Sequence, residues 1–146
     1  MFESVLVVCT GNICRSPMAE ALLREPLGAA GKRVASAGIA ALQGRPADAL
    51  AQEVMQAHGY DMSAHRGRQL NAALLSAADL VLVLDEGHRR WIQDNFPQFR
   101  GRVHKLGKWR GEQDVADPYQ LGRQAFEQAY RDITDCLDDW TPHLLA

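Results

Sequence analysis

Cys9 and Arg15 stand at the two ends of the segment CTGNICR, which follows an apolar run and precedes Ser16 and Pro17. Where a loop meets the start of a helix, unpaired main-chain N–H groups and the helix dipole attract anions. Gly11 allows a tight turn without a side chain inside the loop. The guanidinium of Arg15 is a rigid two-pronged donor that suits a phosphate. The segment therefore predicts a binding site for a tetrahedral oxyanion such as phosphate.

Cys9 is placed by this pattern in a positive field, which favours the thiolate over the thiol. A thiolate beneath a phosphate can attack phosphorus, while Arg15 and the loop N–H groups stabilise the oxygens in the transition state. The Ser16 hydroxyl can donate to the thiolate and improve it as a leaving group in a second step. Because the loop itself supplies positive charge, neither a metal nor a cofactor is expected. The predicted chemistry is phosphoryl transfer through a phosphocysteine.

A proton donor for the leaving oxygen is offered by the segment DVADPYQ at 114–120. Pro118 biases Asp117 away from the helical region, so its carboxyl group is expected to project from a turn. A carboxylic acid in this position can protonate the leaving group of a phosphate monoester. Asp-Pro also occurs in ordinary turns, so the role of Asp117 depends on its lying beside the Cys9 loop.

The sequence admits two other interpretations of Cys9. One is a buried cysteine beside an arginine that caps another element. The other is a metal pair formed with Cys14, but a structural zinc site needs four ligands, usually with closer cysteine spacing, and the sequence has no second pair. The strand before the loop, the glycine inside it and the Ser-Pro after it favour the phosphate loop.

The elements that must position these residues alternate between strands and helices. Strands are predicted at 4–9, 33–38, 79–85 and 102–106, and helices from about Pro17, at 47–60 and at 86–96. Ser16 is predicted as the N-cap of the first helix and Pro17 as its first residue, and Pro26 should end or kink this helix near Glu25.

A last helix carries an apolar stripe with helical spacing, which indicates a face packed into the core. Its members are Phe126, Tyr130, Ile133, Leu137 and Trp140. The alternation of elements predicts an α/β fold with three layers and a parallel sheet, and residues 1–146 are expected to form one domain. In such sheets ligands bind beyond the carboxyl ends of the strands, where the Cys9 loop lies.

Composition excludes several classes of protein. The net charge is −2 and no basic block is present, so a nucleic-acid partner is not expected. No apolar run approaches the roughly 20 residues that a membrane helix needs. The N-terminal segment is not predicted to be a signal peptide. Three cysteines, an odd number, are typical of a reducing cytoplasm rather than of a disulfide framework.

Together, CTGNICRSP near the N-terminus and DPY near residue 117 resemble the low molecular weight protein tyrosine phosphatase family. The segments 36–48, 65–70 and 107–119 are most similar to the bacterial branch associated with exopolysaccharide or capsule production. The resemblance implies a four-stranded parallel sheet with helices on both faces. It also implies a phosphotyrosine-containing protein as substrate, specifically an autophosphorylated bacterial tyrosine kinase, with inorganic phosphate or another oxyanion as product or inhibitor.

The resemblance further implies roles for individual residues. Cys9 would be the nucleophile, Arg15 the phosphate clamp, and Asp117 first the general acid and then the base that activates water. The phosphate-binding loop would comprise Thr10, Gly11, Asn12, Ile13, Cys14 and Ser16.

Around this loop, Asn12 would be supported by Ser16, Ser36 and His65. Without the resemblance, Ser36 reads as a turn residue at a strand end and His65 as a residue at the start of a helix. Cys14 would be able to pair reversibly with Cys9 on oxidation.

The sequence departs from many eukaryotic members at the rim of the cleft. Tyr119 is followed by Gln120 rather than by a second tyrosine, and Leu42 stands near the position of an aromatic wall residue. A less aromatic rim, built by Leu42 and Tyr119, is therefore expected.

Two alternative functions remain open from the sequence. A thioredoxin-coupled arsenate reductase would need two further cysteines near the third strand, and residues 79–95 contain none. A non-catalytic phosphotyrosine-binding module would be favoured by loss of the nucleophile or the acid, yet Cys9, Arg15 and Asp117 are all present.

Overall fold

A parallel sheet of four strands organises the chain, and the computed structural model describes residues 2–146. The strands lie in the order β2-β1-β3-β4. Their bounds are β1 Ser4–Cys9, β2 Arg33–Gly38, β3 Leu80–Val83 and β4 Val103–Lys105. The helices are α1 Arg15–Ala29, α2 Ala49–Ala57, α3 Ala72–Ala77, α4 Glu86–Asn95 and α5 Arg123–Leu144, with a 3₁₀ turn at Pro97–Arg102. The α/β fold with a four-stranded parallel sheet is confirmed.

β1 is the central strand and is buried on both faces. Val5, Val7 and Cys9 face one apolar cluster, which includes core residues of α1, α2 and α5. Leu6 and Val8 face a second cluster, to which α3 and α4 contribute. An uninterrupted apolar strand suits this double burial, and the helices form a layer on each side of the sheet.

The strand order switches at β1, because the chain adds β2 on one side of β1 and later adds β3 on the other, with all of these strands parallel. Cys9, the last residue of β1, pairs with Gly38, while Val8 pairs with Val83 of β3. A crevice forms at such a switch point, beyond the carboxyl ends of the strands. The fold thus places the CTGNICR segment where ligands bind in sheets of this kind.

The first helix departs from the prediction at both ends. It begins at Arg15, and its N-cap is Cys14, with no side-chain cap hydrogen bond; the prediction of Ser16 as N-cap is wrong because its hydroxyl is engaged elsewhere. The predicted end near Glu25 is also wrong, since the helix continues through Pro26 to Ala29. Leu23 and Leu27, 2% and 1% exposed, pack into the core on both sides of the proline and hold the helix together.

The remaining helices and strands were predicted within a few residues, except for two short elements. α3 and the 3₁₀ turn at 97–102 have no counterpart in the prediction, because they are too short to show a helical period. In the last helix, Phe126, Ile133, Leu137 and Trp140 are buried as predicted, whereas Tyr130 of the same stripe is only partly buried against this core. None of the helices within residues 2–146 combines the length and the apolar character that crossing a membrane requires.

Candidate active site

The loop between β1 and α1 turns at Asn12, which has a φ of 57°. The tight turn predicted at Gly11 lies instead at Asn12, which is the left-handed residue, and a Cβ at Gly11 would make only ordinary contacts. A close approach instead requires Gly38 at the end of β2, where a Cβ would overlap Thr10 O and lie 2.9 Å from Asn12 N. Asparagine tolerates the left-handed region better than most residues, and its surroundings hold it there.

Four residues bind Asn12 through hydrogen bonds. Its Nδ2 donates to Ser16 Oγ at 2.8 Å and to Ser36 Oγ at 2.9 Å. Its Oδ1 accepts from the main-chain N–H of Arg68 at 3.0 Å, and its carbonyl accepts from His65 Nε2 at 2.7 Å. The structure therefore brings Ser16, Ser36 and His65 to Asn12, as the sequence resemblance implied.

Ser16 also contacts the proposed nucleophile. Its Oγ lies 2.8 Å from Cys9 Sγ, and both side chains are buried. Because Ser16 Oγ already accepts from Asn12, its own hydrogen is free to donate to the sulfur. A donor at this distance stabilises a thiolate more than a thiol.

Arg15 is held in one orientation by two acceptors. Its Nη1 donates to Asp85 Oδ2 at 2.9 Å and to Val115 O at 2.7 Å, and the residue is 2% exposed. Its Nη2 lies 3.7 Å from Asp117 Oδ2. With Nη1 occupied, the Nε and Nη2 edge of the guanidinium is the edge left for a bidentate contact with an oxyanion.

Asp85 was not singled out from the sequence. It caps α4, since its Oδ1 accepts from the N–H of His88 at 3.1 Å. Burial by itself raises the pKa of Asp85, but the hydrogen bond from Arg15 and the neighbouring His88 outweigh this and leave the pKa below its ordinary value. The sequence feature that could have indicated Asp85 is an acidic residue at the carboxyl end of an apolar predicted strand, where ligands bind in parallel sheets.

Asp117 lies opposite the loop on a segment tied to the sheet. The N–H of Val115 donates to Leu84 O at 2.9 Å, and Asp114 Oδ1 lies 2.6 Å from the ammonium of the buried Lys105. Asp117 Oδ1 accepts from the N–H of Tyr119 at 3.1 Å, which leaves Oδ2 directed toward Arg15. The carboxyl group therefore projects from a turn, as predicted from Pro118.

A cavity of about 190 Å³ joins these groups. Most of the predicted site residues line it, together with Ala40: Cys9, Thr10, Gly11, Ile13, Cys14, Arg15, Leu42, Asp117 and Tyr119. Asn12, Ser16, Ser36 and His65 are not among its lining residues and support the loop by the hydrogen bonds given above. The cavity thus has a sulfur and a guanidinium, a carboxylate and an apolar rim.

Two further residues that support the loop were not predicted. Glu20 on α1 accepts from Ser36 Oγ at 2.5 Å and extends the chain of hydrogen bonds behind Asn12. Arg68 donates its main-chain N–H to Asn12, a contact that no sequence pattern predicts.

Cys14 is buried, and this burial, with the nearby acidic groups, raises the pKa of its thiol well above the ordinary value.

An oxyanion loop that joins the central strand to the first helix, with a buried cysteine and arginine and a facing carboxylate, defines a cysteine-dependent phosphatase architecture. Residues 4–146 match the model of the low molecular weight phosphotyrosine protein phosphatase family, and the chain belongs to that family. The family resemblance and the predicted class of enzyme, a protein-tyrosine phosphatase, are confirmed.

Several relatives support this membership over their full lengths. The chain is 49% identical to a Ralstonia nicotianae protein named "Probable low molecular weight protein-tyrosine-phosphatase EpsP", covering 100% of this chain and 99% of the relative. It resembles the structure of Vibrio vulnificus Wzb in complex with benzylphosphonate, with a TM-score of 0.93, 41% identity and coverage of 98% and 99%. The tyrosine phosphatase Wzb from Escherichia coli K30, in complex with sulphate, gives a TM-score of 0.94, 38% identity and coverage of 99% of each chain.

Proposed function

We propose that the chain hydrolyses phosphotyrosine through a phosphocysteine on Cys9. The observation that carries this proposal is the placement of Cys9 Sγ, 2.8 Å from Ser16 Oγ, in the cavity that Arg15 and Asp117 also line. In the first step the sulfur forms a bond to phosphorus as the bond from phosphorus to the phenolic oxygen breaks. Asp117, in its protonated form, gives its proton to that oxygen.

In the second step, water attacks the phosphorus of the phosphocysteine and gives a proton to Asp117. The S–P bond breaks, phosphate leaves, and Ser16 donates to the sulfur that regains its charge. The Nε and Nη2 groups of Arg15 and the loop N–H groups bind the phosphoryl oxygens in both steps. Because Nη1 is held by Asp85 and Val115, the guanidinium does not have to reorient during the reaction.

The substrate that we propose is a protein phosphorylated on tyrosine, specifically an autophosphorylated bacterial tyrosine kinase that controls exopolysaccharide or capsule production in the cytoplasm. The apolar rim formed by Ile13, Leu42 and Tyr119 suits an aromatic ring. Benzylphosphonate, which a structural relative binds, combines an aromatic ring with a phosphate-like group. The three cysteines are all free, which is compatible with a reducing compartment. We also propose that residues 1–146 act as a single domain.

The first experiment is hydrolysis of p-nitrophenyl phosphate in the presence of EDTA. Wild type should turn over and Cys9→Ser should retain less than about a hundredth of the activity, because a serine hydroxyl is not ionised near neutral pH. Cys136→Ser, the same change in the buried face of α5, is the matched control and should remain active. Turnover by Cys9→Ser above about a hundredth of the wild-type rate would contradict the nucleophilic role.

Substrate class is tested with matched peptides that carry phosphotyrosine or phosphoserine. The phosphotyrosine peptide should be the better substrate, because the apolar rim of the cavity would pack against the phenyl ring of phosphotyrosine. Binding of phosphate without any turnover would instead favour the binding-module alternative. Release of phosphate from a purified autophosphorylated tyrosine kinase, followed with an antibody to phosphotyrosine, tests the proposed partner.

A further inference from the structure

His88 is a buried titratable residue that the mechanism above does not use. It lies in the first turn of α4 and is 1% exposed. Its Nδ1 lies 3.2 Å from the main-chain N of Asp85, and its Nε2 lies 2.9 Å from Thr10 Oγ1. The ring therefore stands between the end of β3 and the residue that follows Cys9.

The hydrogen-bond partners determine the tautomer of the ring. Nδ1 also lies 3.3 Å from Asp85 Oδ1, but its hydrogen bond is the one from the main-chain N–H of Asp85. Because this N–H can only donate, Nδ1 accepts and the ring hydrogen resides on Nε2. Nε2–H then donates to Thr10 Oγ1. Burial lowers the pKa of His88 to about 4, although the carboxylates of Asp85, Asp117 and Asp114 oppose this and Arg15 adds to it. The imidazole is thus neutral near pH 7, with one donor and one acceptor.

This neutral ring joins the two ends of the phosphate-binding loop. At one end it binds Thr10, the neighbour of Cys9 in the sequence. At the other end it binds the main chain of Asp85, whose carboxylate holds Nη1 of Arg15. The position of the sulfur relative to the guanidinium therefore depends on a side chain that contacts neither group with a hydrogen bond.

We propose that His88 is a positioning residue for the phosphatase reaction, acting through its Nε2–H bond to Thr10 to align the start of the loop, and hence Cys9, with Arg15. This inference rests on the proposed function. The contact belongs to the described loop but is separate from the Asn12 network, since no hydrogen bond joins the two among residues 2–146. Thr10 is its only side-chain target in the loop within the same described part of the chain.

A double-mutant cycle tests this link. His88→Asn keeps an acceptor near the position of Nδ1 but cannot reach Thr10, and Thr10→Val removes the hydroxyl while preserving the shape of the side chain. Each change should lower kcat/KM for p-nitrophenyl phosphate about tenfold, as expected for one lost hydrogen bond. The double variant should lose no more than the larger single loss, because both changes delete one contact.

His88→Gln provides the rescue, since its Nε2 can donate to Thr10 from about the position of the histidine Nε2. It should stay within about threefold of wild type, even if its melting temperature falls as far as that of His88→Asn. A purely structural role would lower the melting temperature of both variants without separating their activities. His104→Asn, at a half-buried histidine on β4, is the matched control and should leave kcat/KM unchanged.

Losses that multiply to about a hundredfold in the double variant, or His88→Asn at wild-type activity, would overturn the proposal. Loss of wild-type turnover in Cys9→Ser is established first, so failure of the proposed function is recognised separately. An independent readout is the ¹⁵N chemical shifts of the His88 ring at pH 7, which do not depend on turnover. The Nε2–H tautomer is expected, and an Nδ1–H tautomer would contradict the assignment.

Discussion

At the residue scale, the chemistry of the site depends on a few side chains that each have more than one partner. Ser16 joins Cys9 to Asn12, and Arg15 joins Asp85 to Val115. A side chain with two fixed partners cannot rotate freely, so the loop is organised before a ligand arrives. Such preorganisation lowers the cost of stabilising charge in the transition state.

Asp117→Asn should separate proton donation from nucleophilic attack. An amide cannot give a proton to the leaving oxygen, so cleavage of an ester with a phenol leaving group should slow by about 10² to 10⁴. An ester with a very acidic leaving group needs no proton and should slow much less. The measurement is single-turnover release of the phenol from a series of aryl phosphates whose leaving groups differ in acidity.

Asp138→Asn, on the exposed face of α5, is the control for this change and should follow wild type across the series. Equal slowing for every leaving group would remove Asp117 as the general acid. The outcome also bears on its 3.7 Å approach to Arg15, because a purely electrostatic effect on Arg15 would not depend on the leaving group.

At the element scale, α1 shows that packing can override a local signal. Proline in a helix interior removes one hydrogen bond and crowds the preceding turn. The helix nevertheless continues through Pro26, because residues on both sides of it are buried against the sheet and α5. The energetic cost of the proline therefore remains in the folded protein.

Pro26→Ala should raise the free energy of unfolding by about 1 kcal/mol or more, since alanine restores the missing N–H and favours the helix. The gain is smaller than the full difference in helix propensity because proline also restricts the unfolded chain. Urea unfolding monitored by circular dichroism measures the change. Activity should stay at the wild-type level, and a less stable variant would show that the helix is adapted to the proline.

At the scale of the whole molecule, stability should depend on pH through His88. Its pKa is lowered to about 4 in the folded state by burial, whereas the unfolded value is near 6.5. Between these values the unfolded chain binds more protons than the folded chain, so stability falls as pH falls through this window. Above about pH 7 the imidazole is neutral in both states and the effect disappears.

The free energy of unfolding of wild type should therefore drop by about 2 kcal/mol between pH 7.5 and pH 5 on account of His88. In His88→Asn the free energy of unfolding should fall by about 2 kcal/mol less over the same pH change, whatever the absolute stability of the variant. Urea unfolding at the two pH values measures both slopes. Identical slopes in the two proteins would show that His88 is not held neutral.

The sequence by itself determined the alternating strands and helices and the parallel α/β class, and it predicted the chemistry of the Cys9 loop. These features depend on local properties, namely apolar runs, helical periods and the spacing of Cys9 and Arg15. The family motifs added Asn12, Ser36 and His65, and the structure brings them together. Local signals failed at three positions. The turn predicted at Gly11 lies at Asn12, and at Ser16 and Pro26 tertiary contacts decide the start and the continuation of the helix.

Only the tertiary structure decided which distant residues hold the loop. Asp85 and His88 are about seventy residues or more from Arg15 and Thr10 in the sequence, and Glu20 and the main chain of Arg68 reach the loop through contacts that no periodicity encodes. Their positions follow from the parallel pairing of β1 with β2 and β3, which brings the carboxyl ends of these strands to one edge. Contacts of this kind depend on sheet order and register, and a single sequence specifies these only through the folded chain as a whole.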